Sequence, residues 1–216
     1  MRKRGLNLPL LLSLLVLVVV AGVVALLTVG GSSGAQAKRV QARDASLDAA
    51  GLLTPVRAAP PLQLHNYLGQ LVNIDSYRGK AVLVTFLYTN CPDICPLITS
   101  NLRVAQNLMS AATASKVQII AVSVDPHGDT PKAVAAFLAR HEMTGRMQYL
   151  IGSAHELARV WKAWGVGSER DAQQPQFINH SGLIYGITAS GKRLSIYASS
   201  FQPSEIAHDV PLLAAR

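Results

Sequence analysis

Cysteines, acidic residues near the start and aromatics are all scarce in this chain, and each scarcity limits what the protein can be. The 216 residues include two cysteines, Cys91 and Cys95, so at most one disulfide can form within the chain. No acidic residue precedes Asp44, whereas residues 2–4 are all basic and contribute to a formal net charge of +8. Aromatics make up 6% of the sequence, and no basic stripe with interleaved aromatics occurs, so nucleic-acid binding is not expected.

An uncharged run, Leu8–Val29, is nearly all Leu, Val and Ala. A spanning helix needs about 20 apolar residues, whereas the apolar part of a secretory signal has about 7–15. The run therefore predicts a transmembrane anchor at 8–29, after a cytoplasmic N-terminus at 1–7. The basic residues 2–4 should stay inside, which sends the rest of the chain outward. Ala35-Gln36-Ala37 resembles a cleavage site, so a signal peptide cleaved after Ala37 is the alternative.

The segment after the anchor is rich in Gly, Ala and Ser and shows no periodicity. We predict a flexible tether at 30–60 with a reach on the order of 30 Å. It would connect the anchor to a globular domain at 61–216. No Ser-rich, Arg-rich transit peptide precedes the apolar run, which favours a bacterial inner membrane and a domain in the periplasm.

Strand-like and helix-like patterns alternate through the predicted domain. A short hairpin around Gly69-Gln70 comes first, and continuous apolar runs then indicate buried strands. The predicted strands after the hairpin are 81–88, 117–124, 147–151, 183–187 and 193–197, the last two paired. The predicted helices are 97–109, one that begins at Thr130-Pro131, one capped by Ser153 and one after Pro203. This order predicts an α/β fold: a thioredoxin-like sheet with an N-terminal β-hairpin, preceded by one transmembrane helix.

Cys91 and Cys95 lie between the first buried strand and the helix after it. This location is expected to expose both thiols and to lower their pKa through the helix N-terminus. A structural disulfide is an alternative, but a bridge that closes so short a loop constrains the unfolded chain little. The spacing favours a metal ion over a redox pair, because a metal bridges sulfurs that lie too far apart for a disulfide. Pro96 disfavours helical backbone at Cys95, so the segment is predicted to be an irregular loop, and both chemistries stay open.

A histidine is the natural complement to two thiolates, since sulfur ligands suit Cu(I) and an added imidazole suits copper or zinc. Six histidines are available: His65, His127, His141, His155, His180 and His208. His180 precedes Ser181-Gly182 and a predicted strand, at the active-site end of a thioredoxin-like sheet. This position distinguishes it from the other five histidines but does not by itself identify a ligand.

Two other groups favour structural roles. Asp125 and Asp129 could form a carboxylate pair, but the first lies in a strand-ending turn and the second at a helix entry. Trp161 and Trp164 are predicted to lie at the rim and in the core.

Three segments together resemble the Sco/SenC family of copper-binding proteins. They are 88–96 (Tyr-Thr-Asn-Cys-Pro-Asp-Ile-Cys-Pro), 124–131 (Val-Asp-Pro-His-Gly-Asp-Thr-Pro) and His180-Ser181. The resemblance covers about Leu62 to Tyr197. It implies a thioredoxin-like fold, copper bound by Cys91, Cys95 and His180, and delivery to the dinuclear copper centre of cytochrome c oxidase subunit II or to another periplasmic copper protein.

Some members of the family act on the recipient's cysteines instead, so the alternative function is a membrane-tethered thiol–disulfide oxidoreductase. Cys91 and Cys95 would then be the catalytic residues. The sequence departs from the family pattern at Asn179, where an Asp is usual, and at 186–188, Gly-Ile-Thr for Leu-Ile-Asp. It departs again at His127-Gly128, commonly Glu-Arg, which adds an alternative ligand beside the candidate site.

Overall fold

A computed structural model describes residues 46–170, 178–179 and 181–216. Leu47–Arg216 forms one folded unit. Its strands are β1 (Gly51–Ala58), β2 (Gln63–Asn66), β3 (Leu71–Asn73), β4 (Ala81–Leu87), β5 (Val117–Ser123), β6 (Met147–Ile151), β7 (Glu169–Arg170), β8 (Ile178–Asn179), β9 (Ile184–Ile187) and β10 (Lys192–Tyr197). Its helices are α1 (Ile94–Leu108), α2 (Ala111–Ala114), α3 (Pro131–Arg140), α4 (Ala154–Trp164) and α5 (Pro203–Ala214), and a 3-10 turn spans Ile74–Tyr77.

Eight of the strands form one sheet in the order β1-β10-β9-β4-β5-β6-β2-β3, and β7 pairs with β8 separately. The central strands β4, β5 and β6 are parallel, whereas β9 runs antiparallel to β4 and pairs with β10 in a hairpin. The early hairpin is formed by β2 and β3. The sequence predicted these pairings because crossovers through helices give parallel neighbours and tight turns give antiparallel ones.

The register of β4 and β5 determines where the functional loops begin. Ala81 pairs with Val117 and Leu87 with Ser123, so the two strands end side by side. Every residue of β4 is buried, as its continuous apolar run predicts. The loop that carries the cysteines and the loop that carries Asp125 and Asp129 therefore leave the same edge of the sheet.

Helices α3 and α4 begin where the sequence predicts. The hydroxyl of Thr130 accepts from the amide of Ala133, with Pro131 in the first position of α3. Ser153 and Glu156 form a capping box at the start of α4. These caps satisfy amides that have no partner within the helix.

Trp164 and Trp161 lie where they were predicted, in the core and at its rim. Trp164 is buried and packs against Phe86 and Tyr185, with ring centroids 6.0 and 5.5 Å apart. Trp161 is half-buried, and its indole N–H donates to the backbone carbonyl of Ser123 at 2.9 Å. The second contact attaches α4 to the functional end of β5.

Two local predictions are wrong. Strand β1, which pairs with β10, lies inside the range predicted to be a flexible tether. Its register is interrupted between Leu52 and Arg57, and most of its residues are exposed, so it lacks the alternation that marks a strand in a sequence.

Helix α1 begins at Ile94, ahead of the predicted start, so Cys95 is helical and not in an irregular loop. Pro96 falls in the first turn, where its missing N–H removes no helical hydrogen bond.

None of the helices in the described part of the chain is both long and apolar enough to cross a membrane. The predicted anchor at 8–29 lies outside the described residues.

Candidate metal centre

The two cysteines lie at the junction between β4 and α1. Their side chains are thiols that are not joined in a disulfide, and both are buried: Cys91 is 7% exposed and Cys95 is fully enclosed. The prediction that this location exposes both thiols is therefore wrong. Cys95 faces inward because it belongs to the buried side of α1 together with Ile98 and Leu102.

Cys91 contributes to the start of α1 directly. The residue before the helix, Asp93, makes no side-chain cap. The amide of Cys95 instead donates to Sγ of Cys91 at 3.4 Å, and the amide of Cys91 donates to the carbonyl of Tyr88 at 3.3 Å. A turn of backbone therefore brings the first sulfur onto the helix end that carries the second, where the helix dipole favours negative charge.

The pKa of the Cys95 thiol is raised far above its ordinary value. The main cause is its hydrogen bond with the side chain of Cys91, and burial and the charge of Cys91 raise it further. For Cys95 the predicted lowering of the pKa by the helix N-terminus is wrong, because these effects outweigh it. The hydrogen bond also places the two sulfurs next to each other, as a shared metal ion or a thiol pair requires.

Tyr88 is a site residue that sequence reasoning missed. Burial, and to a lesser extent the Cys91 side chain with which it hydrogen-bonds, raises the pKa of its hydroxyl to about 12. The same hydroxyl accepts from the amide of Ile178 at 3.4 Å. Its position at the end of the buried strand, three residues before Cys91, is the sequence signal that could have identified it.

Asp129 connects the two loops that leave β4 and β5. One carboxylate oxygen accepts from the amide of Thr89 at 2.8 Å, and the other accepts from the hydroxyls of Ser123 at 2.6 Å and Tyr149 at 2.9 Å. Burial raises its pKa, although these donors oppose the shift. The structural role predicted for Asp129 is confirmed, but the partners of its carboxylate are in the cysteine segment and the central sheet.

The rest of the 124–131 loop packs closely against the cysteine segment. A side chain at Gly128 would meet Asp125 and lie 3.3 Å from Nδ2 of Asn90, the residue before Cys91. His127 is exposed, and its amide donates to the Asp125 carboxylate at 3.3 Å. Glycine at position 128 therefore allows the loop to approach Asp125 and Asn90 closely.

His180 lies outside the described residues, but Ile178 and Gly182, two positions to either side of it, lie close to the cysteine segment. Ile178 bonds to Tyr88. A Cβ atom on Gly182 would come within 2.8 Å of Cδ1 of Ile94, the first residue of α1. The structure therefore brings Cys91 and Cys95 together, and it brings the neighbours of position 180 to the same end of the sheet.

A second group of polar side chains lies far along the chain from the cysteines. Among the described residues, Asp48, His208 and Asp209 are the group whose nitrogen and carboxylate atoms could hold a metal ion, all within 4.8 Å. The buried Asp209 carboxylate is already bonded to the amides of Asp48 and Ala49, the hydroxyl of Tyr197 and Nδ1 of His208. These bonds give the cluster a structural role: Asp209 holds the backbone just before β1 in place.

Two adjacent thiols support two kinds of chemistry. Thiolates are ligands for soft metal ions such as Cu(I), and a thiol pair also exchanges with disulfides. The sulfurs lie side by side at a positive helix end, so the donor set fits copper.

Comparison with known proteins places the chain among copper-associated proteins. The SCO1/SenC family model matches residues 53–215. A putative copper-binding protein from Stutzerimonas stutzeri is 30% identical over 146 residues, which are 66% of this chain and 71% of that protein. The match to the mitochondrial SCO1 homolog of Homo sapiens, at 25% identity, spans 50% of that longer protein.

Solved structures give the same result for the fold. ScoI of Bradyrhizobium japonicum, determined with copper bound, is 30% identical with a TM-score of 0.60, covering 73% of this chain and 99% of that one. BsSco, a member of the Sco family of cytochrome c oxidase assembly proteins in which a disulfide switch is identified, is 26% identical with a TM-score of 0.61. That match covers 76% of this chain and 97% of BsSco.

Proposed function

Because the chain belongs to the SCO1/SenC family, we propose that it is a membrane-anchored copper metallochaperone. It binds copper and delivers it to the dinuclear copper centre of cytochrome c oxidase subunit II, or to another periplasmic copper protein. The observation that carries this proposal is the pair of adjacent thiols at the start of α1, with Cys91 accepting the amide of Cys95. Soft sulfur donors in that arrangement suit Cu(I).

His180 is the proposed third ligand. The contact of Ile178 with Tyr88 and the closeness of Gly182 to Ile94 support this choice, because these two residues, two positions to either side of 180, lie against the cysteine segment. An imidazole also helps to hold Cu(II), so the site would accept both oxidation states.

Delivery proceeds by ligand exchange. Cys91 is the sulfur closer to solvent and is released first, as a thiolate of the recipient takes its place. Cys95 is enclosed and follows last. A disulfide between Cys91 and Cys95 would leave neither sulfur as a thiolate ligand, so it would prevent copper binding.

A thiol–disulfide oxidoreductase is the second candidate, favoured by the difference in burial between the two cysteines. The Cys91 thiolate attacks a disulfide of the target, forms a mixed disulfide and releases one target thiolate. Cys95, which keeps its proton longer, then loses it and displaces the second target thiolate. The products are the Cys91–Cys95 disulfide and a reduced target.

We also propose that Leu8–Val29 anchors the protein in a bacterial inner membrane with its domain in the periplasm. The uncharged run and the basic residues before it support this topology. A reporter enzyme fused after Arg216 should be active outside the cytoplasm. Activity in the cytoplasm alone would overturn the topology.

The decisive experiment is copper stoichiometry of the full chain, purified in detergent. The parent should bind one Cu(I) per chain, and the same protein with its thiols alkylated should bind none. The Cys91→Ser and Cys95→Ser variants should lose high-affinity binding. Undiminished binding after alkylation contradicts the assignment, and fast disulfide exchange without copper binding favours the oxidoreductase.

A further inference from the structure

A buried carboxylate holds the segment that leads into the cysteines. We propose that Asp129 is a positioning residue for the metal site: its carboxylate fixes the Thr89 amide and so sets the path of the chain into Cys91 before any metal arrives. The inference rests on the proposed copper function and adds a residue that contacts neither copper nor the sulfurs.

The connection runs through one oxygen of the carboxylate. Oδ1 accepts from the amide of Thr89 at 2.8 Å, two residues before Cys91. Both Asp129 and Thr89 are buried, so water cannot replace this acceptor without opening the loop. The contact joins residues 40 positions apart in the sequence, and it therefore ties the cysteine segment to the β5–α3 loop.

The other oxygen holds the carboxylate in place. Oδ2 accepts from the hydroxyls of Ser123, at the end of β5, and Tyr149, in β6. Both hydroxyls are buried with their residues in the central sheet. These two hydrogen bonds to the central sheet fix the orientation of the carboxylate, so its other oxygen is held toward the Thr89 amide.

The backbone around Asp129 is itself fixed. Its amide donates to the carbonyl of Asp125 at 3.0 Å, and Thr130 begins α3 with its side-chain cap. The amide of Val124 donates to the carbonyl of Leu87 at 2.9 Å, which extends the β4–β5 pairing to the start of both loops. Every side chain that connects the central sheet to the Asp129 carboxylate and to Thr89 is buried.

Positioning of this kind matters because a metal site gains affinity when its ligands are oriented in advance. Losses of groups that orient ligands cost about 10–100-fold in metal affinity. We expect Asp129→Ala, which removes the acceptor, to weaken Cu(I) binding about tenfold. Asp129→Asn keeps an oxygen for Thr89 and should retain affinity within about threefold of the parent, as a conservative rescue.

The matched control is Asp209→Ala. Asp209 is also a fully buried carboxylate, and it also accepts from backbone amides and a tyrosine hydroxyl, at Asp48, Ala49 and Tyr197. None of these partners belongs to the cysteine segment. Its loss should lower thermal stability much as Asp129→Ala does, but leave copper affinity unchanged.

The test compares the parent and the three variants as full chains in detergent. Copper affinity is measured by competition with a Cu(I) chelator, and the Cu(II)–thiolate absorption band reports the geometry of the sulfurs. Two measurements need no metal: hydrogen exchange at the Thr89 amide and the alkylation rate of Cys91. In Asp129→Ala both rates should rise and the absorption band should shift, whereas Asp209→Ala should leave all three unchanged.

Three results would overturn the proposal. One is an Asp129→Ala variant with the affinity of the parent. Another is an Asp209→Ala variant that loses as much affinity for the same loss of stability. The third is unchanged exchange at Thr89 in Asp129→Ala. A parent protein that binds no copper would instead contradict the proposed function. The two metal-free measurements would still show whether Asp129 fixes the segment that leads into Cys91.

Discussion

The hydroxyl of Tyr88 accepts a hydrogen bond from the amide of Ile178 at 3.4 Å, across 90 positions of sequence. Because the same hydroxyl also bonds with Cys91, it joins the first cysteine to the strand that leads to His180. This contact relates the thiols to the proposed imidazole ligand through the backbone two residues before it.

Loss of the Tyr88 hydroxyl should weaken copper binding, because this hydroxyl holds the strand that leads to His180. A buried hydrogen bond contributes about 0.5–1.5 kcal/mol, so Tyr88→Phe should lower Cu(II) affinity by roughly two- to tenfold. The effect should disappear in a His180→Ala background, which a double-mutant cycle measures. Tyr185→Phe is the control, since this buried tyrosine packs in the core against Trp164. Additive losses in the cycle would show that Tyr88 acts without His180.

Replacement of the imidazole separates the two candidate functions. His180→Ala should lower copper affinity by at least about tenfold, most for Cu(II), because soft thiolates alone still hold Cu(I). Disulfide reduction by Cys91 and Cys95 should be spared. Titration of both copper states and an insulin-type disulfide assay make the comparison. His127→Ala is the control. If it weakens binding while His180→Ala does not, the 124–131 loop supplies the third ligand.

The two thiols should differ sharply in reactivity. Cys95 is enclosed and its pKa is raised by its bond with Cys91, so at pH 8 it stays protonated. Cys91 should be alkylated more than about tenfold faster, because the thiolate is the reactive species. Peptide mapping after partial alkylation measures the ratio, and the unfolded chain, in which both should react alike, is the control. Equal rates in the folded protein would contradict the buried position of Cys95.

Asp129 should leave a signature in the pH dependence of stability. Burial raises its folded-state pKa above the ordinary value of 3.8, so the folded protein holds this proton after the unfolded chain has lost it. The unfolding free energy should therefore fall as pH rises from about 4 to the raised value, and level off above it. Asp129→Asn lacks this contribution. Denaturant melts of both proteins between pH 3 and 8 give the difference, and a parent-minus-variant stability that rises over that window would contradict the sign.

Much of the fold follows from local patterns. The buried runs of β4 and β5, the caps at Thr130 and Ser153 and the β9–β10 hairpin are all where the sequence predicts them. Strand β1 was missed because it is held by pairing with β10 and by the bonds of Asp209 to Asp48 and Ala49, and not by its own composition. Contacts that distant in sequence leave no local periodicity.

The sequence by itself determined which residues carry the chemistry: two cysteines four positions apart after a buried strand, in a family pattern that adds His180. Only the tertiary structure decided how buried the two thiols are and which of them keeps its proton. Burial and the contact between the sulfurs make Cys95 hold its proton, against the helix dipole that sequence position predicts. The bonds from Thr89 to Asp129 and from Ile178 to Tyr88 likewise arise from strands that end at one edge of the sheet. Burial and long-range hydrogen bonds depend on the packed chain as a whole, and no short segment encodes them.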